Sequence, residues 1–219
     1  DYDRPRYLDG TVEKQADAYC TDFWFSEATA WMDTQRRERR PFFAYIPLNA
    51  PHLPMWPPAS HVGRYRDKVD ANVDAFFGMI ANIDDNVGRL DAWLREHDLF
   101  DDTIVVFLGD NGGTLGRNLY NAGLRDFKSS HYEGGHRTFC FLRHPASGFT
   151  PGRQVTTPVH GQDLLPTLRA LSDVRARGVR FDGRSIEPLA RGKPIEDRMF
   201  VVQFGLRDRP AKHEAAVVW

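Results

Sequence analysis

Cysteine is scarce in this chain: Cys20 and Cys140 are the only two among 219 residues. They stand far apart and form no zinc or redox spacing. Each lies in an apolar setting, which predicts two plain buried thiols. An excess of one charge is also lacking. Lys and Arg number 29 against 30 Asp and Glu, so a polyanionic partner such as nucleic acid is not expected. No apolar run approaches the roughly 18 residues that a membrane span needs. There is no initiating Met, and Asp1-Tyr-Asp-Arg-Pro-Arg6 is not a signal peptide. The start therefore reads as the middle of a longer protein, and the apolar end at Val217-Val-Trp219 as a cut. Internal repeats and low-complexity segments are missing too. The 41% hydrophobic and 27% charged content suits a soluble globular protein with one good core and part of a second domain.

What is present is a clear succession of elements. Residues 11–40 are expected to be helical, with Cys20, Trp24, Ala28 and Trp31 at near-helical spacing and Phe23 and Met32 widening the stripe. Arg36, Arg37, Arg39 and Arg40 suit its C-terminal end, and Pro41 stops it. Phe42–Ile46 is a short apolar run bounded by prolines, the pattern of a buried strand. It empties into Asn49-Ala-Pro-His52-Leu-Pro-Met-Trp-Pro-Pro58, a loop that proline keeps from being helix. Residues 70–97 carry Val73, Phe76, Ile80, Ile83, Val87, Leu90 and Leu94 at steps of three and four, one face of a long amphipathic helix. Thr103–Leu108 follows as a second buried strand. Strand, helix and strand predict a βαβ unit with parallel strands and a right-handed crossover. That topology would put His52 and Asp110 on one edge of the sheet, where open α/β folds bind ligands. Further strands are expected at Thr138–Leu142 and Met199–Phe204. Asp163 is placed to cap a helix running to Leu171, with Pro166 in its first turn.

The chemistry concentrates between Thr103 and Arg143. Asp110-Asn111-Gly112-Gly113 follows an apolar strand directly. Asp and Asn before Gly are the vocabulary of a turn. A carboxylate beside a neutral carbonyl is also a mixture that calcium accepts, although a hard cation wants about six oxygens. Lys128 precedes a Glu133-Gly-Gly turn. It is either an ordinary surface lysine or a fixed positive charge facing an anionic substrate. His52 is either a packed loop histidine or a proton donor to an anionic oxygen or leaving group. Asp84 and Asp85 read as a solvated or helix-packing pair. His131 and His136 match no zinc motif. Trp56 suits a ring-stacking wall or a packed proline loop equally.

Several ordered pieces together resemble the sulfatase family, the calcium-dependent sulfuric ester hydrolases of the alkaline phosphatase superfamily. They are Tyr19-Cys-Thr-Asp22, Pro41-Phe-Phe-Ala-Tyr45, Ala50-Pro-His-Leu-Pro54, Met79-Ile-Ala-Asn-Ile-Asp-Asp-Asn-Val-Gly88 and Thr103-Ile-Val-Val-Phe-Leu-Gly-Asp-Asn-Gly-Gly113. Leu124-Arg-Asp-Phe-Lys128, Tyr132-Glu-Gly-Gly-His-Arg137, Asp163-Leu-Leu-Pro-Thr-Leu168 and Asp182-Gly-Arg-Ser-Ile186 complete the series. The resemblance implies an α/β fold with a mostly parallel central sheet flanked by helices. Residues 1–190 would be the C-terminal half of the catalytic domain, and 191–219 the start of a small C-terminal α+β domain. It implies that Asp110 and Asn111 are two ligands of one Ca2+, and that His52 and Lys128 contact the sulfate, His52 near the leaving group. The family's nucleophile is a formylglycine made from Cys or Ser in a Cys/Ser-x-Pro/Ala-x-Arg motif. No such motif occurs in these 219 residues. The chain alone is therefore expected neither to hydrolyse sulfate esters nor to bind calcium tightly. The implied substrate is a small-molecule or glycan sulfate ester, and the implied location is exported: periplasmic, secreted or lysosomal. A phosphodiesterase or phosphonate hydrolase of the same superfamily, and a non-catalytic binder of sulfated glycans, are the alternatives. Asn111 speaks against the first, since a histidine there would suit zinc or manganese.

Overall fold

A computed structural model describes residues 2–175, 177–205 and 214–218. The chain divides into two compact units, Asp1–Asp98 and Leu99–Trp219.

The first unit opens with a hairpin, β1 (Arg6–Asp9) against β2 (Val12–Gln15), turning at Gly10 with φ +62°. Residues 12–15 are thus strand, where helix was expected. Gly10-Thr11 is the two-residue loop, glycine at its first position takes the positive φ that such a hairpin turn needs, and the turn dictates the pairing of both flanks before helical periodicity takes hold. Tyr7 of β1 packs on Phe23 and Trp24, which seats the hairpin on the following helix.

Helix α1 (Cys20–Arg37) buries Cys20, Phe25 and Met32, while Trp31 is exposed. Helix α2 (Ala71–Glu96) starts at Asp70, whose carboxylate accepts from the N–H groups of Asn72 and Val73. Such a cap is worth about 1 kcal/mol. The buried face of α2 carries Val73, Met79, Ile83 and Leu94, but Ile80 of the expected stripe lies exposed. Asn82 and Asn86 take buried places instead. Both donate to Asp22 of α1, at 2.9 and 2.7 Å, and Arg89 joins at 2.8 Å. Polar groups occupy that seam because each finds a partner across it. Asp85 is also helix-packing: it accepts from His61 Nε2 at 2.9 Å.

Tyr2, Tyr19, Cys20, Ala50, Met79 and Ile83 form the core of this unit, with Leu48 and Met55 packed against it. The segment from Leu48 to Met55 is thereby anchored at both ends. Phe42–Ile46 forms no strand pairing among the described residues. It keeps a strand's alternation all the same: Phe42, Ala44 and Ile46 are half-buried, and Phe43 and Tyr45 are exposed.

In the second unit β3 (Val105–Leu108) pairs with β4 (Cys140–Arg143). The pairing is antiparallel, and Phe42–Ile46, the strand expected to run parallel to Thr103–Leu108, pairs with no strand among the described residues. β4 takes one edge of β3. The first half of β4 runs along the surface, and Cys140 is exposed where a buried thiol was expected; Cys20 is buried. The sheet lays Val106 and Leu142 against Leu164, Leu168 and Ile186 around a small apolar cavity.

Between β3 and β4 lies one short helical turn, α3 (Glu133–His136). After β4 come α4 (Leu164–Ser172) and the short α5 (Glu187–Ala190). Asp163 does not cap α4. Its fully buried carboxylate accepts instead from His160 N at 2.9 Å, Arg184 N at 3.0 Å and the Arg198 guanidinium. Three stretches of chain meet on that one side chain. The last hairpin, β5 (Phe200–Gln203) with β6 (Ala215–Val218), realises the strand expected near Met199–Phe204. Trp219 lies outside the described residues. No helix among the described residues is long and apolar enough to cross a membrane.

Candidate functional site

Strand β3 delivers Asp110. The ladder continues one step past it, Gly109 N–H donating to Phe139 O at 3.2 Å. A Cβ on Gly109 would lie 2.1 Å from Thr138 Oγ1, so the Thr138 hydroxyl would have to turn away. The next two side chains converge: Asn111 Nδ2 donates to Asp110 Oδ1 at 2.9 Å. It is the amide nitrogen that faces the carboxylate, and it donates to Gly112 O at 3.3 Å as well; a metal-binding role for the amide oxygen would require the amide to turn over. This donor set fits part of a hard-cation shell. Among the described residues no cluster of three acidic, histidine or cysteine side chains completes it.

Gly112 locks the turn to the rest of the site. Its N–H donates to Gly135 O at 3.0 Å, and a Cβ on it would sit 1.8 Å from Gly134 O. Gly134 in turn presses on the 125–130 loop: its N–H donates to Arg125 O at 2.8 Å, and a Cβ would meet Asp126 O at 2.1 Å. Gly135 has Ser130 O at 2.2 Å from its own Cβ position. Backbone therefore lies on backbone at three successive places, with no volume for a side chain.

The same framework holds Lys128. Its N–H donates to Gly113 O at 3.1 Å, which closes the loop that began at the metal-type pair. The loop is stiff. Asn121 Nδ2 donates to Leu124 O and Asp126 O, both at 2.8 Å, and Arg117 lies 3.4 Å over the Phe127 ring. Asp126 and Ser129 flank Phe127-Lys128 with φ of +64° and +75°. Two non-glycine residues in the left-handed region beside a candidate site are strain that the surrounding contacts must hold. Lys128 is half-buried and forms no ion pair among the described residues. Arg125 is stacked on Tyr132 at 3.6 Å, and Glu133 pairs with Arg137 at 3.2 Å. Burial holds the His136 imidazole below its ordinary pKa against the pull of Glu133, and His136 Nε2 is buried with no partner among the described residues.

Asp110, Asn111 and Lys128 are thus gathered by one set of backbone contacts in the second unit. His52 belongs to the first unit and is exposed. His52 N–H donates to Asn49 O at 3.0 Å, closing a turn. Its Nδ1 lies 3.2 Å from Leu53 O. A carbonyl only accepts, so Nδ1 carries the proton and Nε2 is the nitrogen left for chemistry. The glycine interlock and the His136 nitrogen that has no partner among the described residues are features of the site with little signal in the sequence. The Glu133-Gly-Gly spelling is the one local sign of the interlock.

Comparison with known proteins fixes the fold class and then the family. The structure of Ps i-CgsB in complex with k-i-k-neocarrahexaose superposes with a TM-score of 0.76 at 28% identity, over 84% of this chain and 41% of that chain. The fold is the alkaline phosphatase-like α/β fold of such sulfatases. The Sulfatase family model matches residues 1–174, and the chain belongs to the sulfatase family. A sulfatase of Formosa agariphila is 29% identical over 206 residues, 85% of this chain and 35% of that protein. Human arylsulfatase A is 32% identical over 167 residues, 73% of this chain and 30% of its own. The chain spans about a third of the length of these curated relatives.

Proposed function

We propose that this chain is the C-terminal half of the catalytic domain of a sulfatase, with residues 191–219 beginning its small C-terminal domain. The enzyme hydrolyses a sulfate ester. Its substrate class is a sulfated glycan or a small aryl or alkyl sulfate, and the protein is exported. The observation that carries the reading is the family match over residues that include Asp110, Asn111 and Lys128 in one rigid backbone framework.

Asp110 and Asn111 would hold one calcium ion, the remaining oxygens coming from outside this chain. When bound, that ion supplies Lewis-acid stabilisation of sulfate oxygens, and a formylglycine hydrate elsewhere in the enzyme supplies the attacking oxygen. The roles of this chain's own residues follow from their chemistry. Lys128 brings a full positive charge that no acid of its loop neutralises, so it binds the sulfate and stabilises charge that builds on its oxygens. The backbone interlock at Gly112, Gly134 and Gly135 keeps that charge at a constant distance from the Asp110–Asn111 turn. His52 in its imidazolium form keeps Nδ1–H on Leu53 O and offers Nε2–H to the ester oxygen. The proton leaves Nε2 as the sulfur–oxygen bond breaks, which spares the leaving group an alkoxide.

The test is sulfate release by the full reading frame that contains these residues, measured on an aryl sulfate and on a sulfated oligosaccharide. His52→Ala and Lys128→Ala should each lower kcat/KM by about a hundredfold or more. Turnover of phosphate diesters with no turnover of any sulfate ester would overturn the reading.

A further inference from the structure

The loop that carries His52 has a support the function above does not use. Tyr2 is buried in the core beside Tyr19, and its hydroxyl reaches two backbone carbonyls at once, Asn49 O at 2.8 Å and His52 O at 2.6 Å. Asn49 O also accepts His52 N–H, so both of its lone pairs are engaged. The Asn49 side chain is tied as well, its Oδ1 lying 3.4 Å from Cys20 Sγ. One phenol proton therefore serves both ends of the turn that projects the imidazole. Burial, with a smaller contribution from Cys20, pushes the Tyr2 phenol up to about 12, so it stays a donor at any pH where an imidazole titrates.

We propose that Tyr2 is a positioning residue for His52: by holding the Asn49 and His52 carbonyls it keeps the imidazole where Nδ1–H meets Leu53 O and Nε2 is the working nitrogen. The proposal rests on His52 acting on the substrate as described above. Without the clamp the segment stays anchored by the Asn49–Cys20 contact and the packing of Ala50, but His52 O loses its partner, the turn keeps only the His52 N–H bond across it, and the ring is freer to leave Leu53 O. With Nδ1–H no longer held on Leu53 O the ring turns freely: the neutral form samples both tautomers, and the Nε2–H of the imidazolium is no longer aimed at the ester oxygen.

The experiment is a long-range proton–nitrogen correlation spectrum of the 219-residue chain with its imidazoles neutral, in wild type and Tyr2→Phe. The wild type should show His52 as the Nδ1–H tautomer, and the variant a mixture. His61 is the internal control, since its Nδ1 faces Ser60 Oγ and its Nε2 Asp85 Oδ2, both at 2.9 Å in the same unit. Unchanged His61 signals mean the variant is folded. A mixed His52 tautomer in the wild type overturns the proposal with no variant needed, and so does an unchanged tautomer in a folded Tyr2→Phe. In the full-length enzyme Tyr2→Phe should lower kcat about tenfold at constant KM. The two ideas fail separately. Full activity of His52→Ala removes the functional reading and leaves the tautomer result standing. An essential His52 whose tautomer ignores Tyr2 removes only the positioning role.

Discussion

Gly112→Ala should damage this protein far more than the same change one residue later. The added methyl would have to occupy a point 1.8 Å from Gly134 O and 2.7 Å from Gly134 C. Ordinary contact begins at 3.4 Å, and the obstacles are backbone atoms that cannot rotate away. Overpacking of this kind costs about 1–3 kcal/mol. Separating the two segments of chain also removes the Gly112 N–H bond to Gly135 O, worth about 1 kcal/mol. The sum is about 3 kcal/mol, which for a chain of this size lowers Tm by roughly 6–12 °C. Gly113 is the matched control: a Cβ there meets nothing within 4 Å, and no positive φ forbids it. Gly113→Ala should melt within about 2 °C of wild type, as an uncrowded surface change does. Thermal unfolding followed by circular dichroism reads both. In the full-length enzyme the displaced Asn111 should cost roughly a hundredfold in kcat/KM, since misplacements of about 1 Å carry such penalties. Equal melting temperatures for the two variants would refute the interlock as the device that assembles the site.

Asp163→Ala strands Arg198 and two backbone N–H groups around a fully buried position, and should cost about 3–5 kcal/mol in urea unfolding. Burial pushes the Asp163 carboxyl up, but Arg198 and the N–H groups of His160 and Arg184 outweigh it and hold its pKa below the ordinary range. Its contribution is therefore full above about pH 4 and lost as pH falls through the depressed folded value, a loss that Asp163→Ala should not show. The 219-residue chain by itself should release no sulfate from an aryl sulfate and show no tight calcium binding by calorimetry. Measurable turnover would mean that a nucleophile lies within it. Asn111→His in the full-length enzyme should move metal preference from calcium toward zinc or manganese, read as the metal that restores activity after chelation.

How much of this is legible in the sequence depends on the range over which each feature is encoded. The long helix at 70–97, the strand at Thr103–Leu108 and the turn at Glu133-Gly-Gly are local patterns, and the structure has all three, the last as one helical turn. The start of α1 misleads because the two-residue loop Gly10-Thr11 sets a hairpin that outranks the stripe behind it. Burial on α2 shifts from Ile80 toward Asn82 and Asn86 for a reason periodicity cannot see. A buried amide is tolerable only if a partner waits, and that partner, Asp22, is 60 residues upstream of Asn82. Asp163 reads as a helix cap by its place before Leu164. Its actual partners stand at 160, 184 and 198, beyond any local rule.

The candidate site divides along the same line. Its chemistry-bearing residues are visible in sequence, although Asp110-Asn111 before two glycines also spells a plain turn and Lys128 also reads as a surface lysine. What fixes their geometry is nearly silent. Gly112, Gly134 and Gly135 act by having no side chain, and Tyr2 acts through main-chain carbonyls that every residue possesses. A substitution in such a support leaves each reacting group intact and changes only where it points. Variants of Tyr2 or Gly112 should therefore lose turnover while retaining the whole candidate set of His52, Asp110, Asn111 and Lys128. Rate, and not the list of residues, is then the quantity that separates a working member of this family from one that has kept only its motifs.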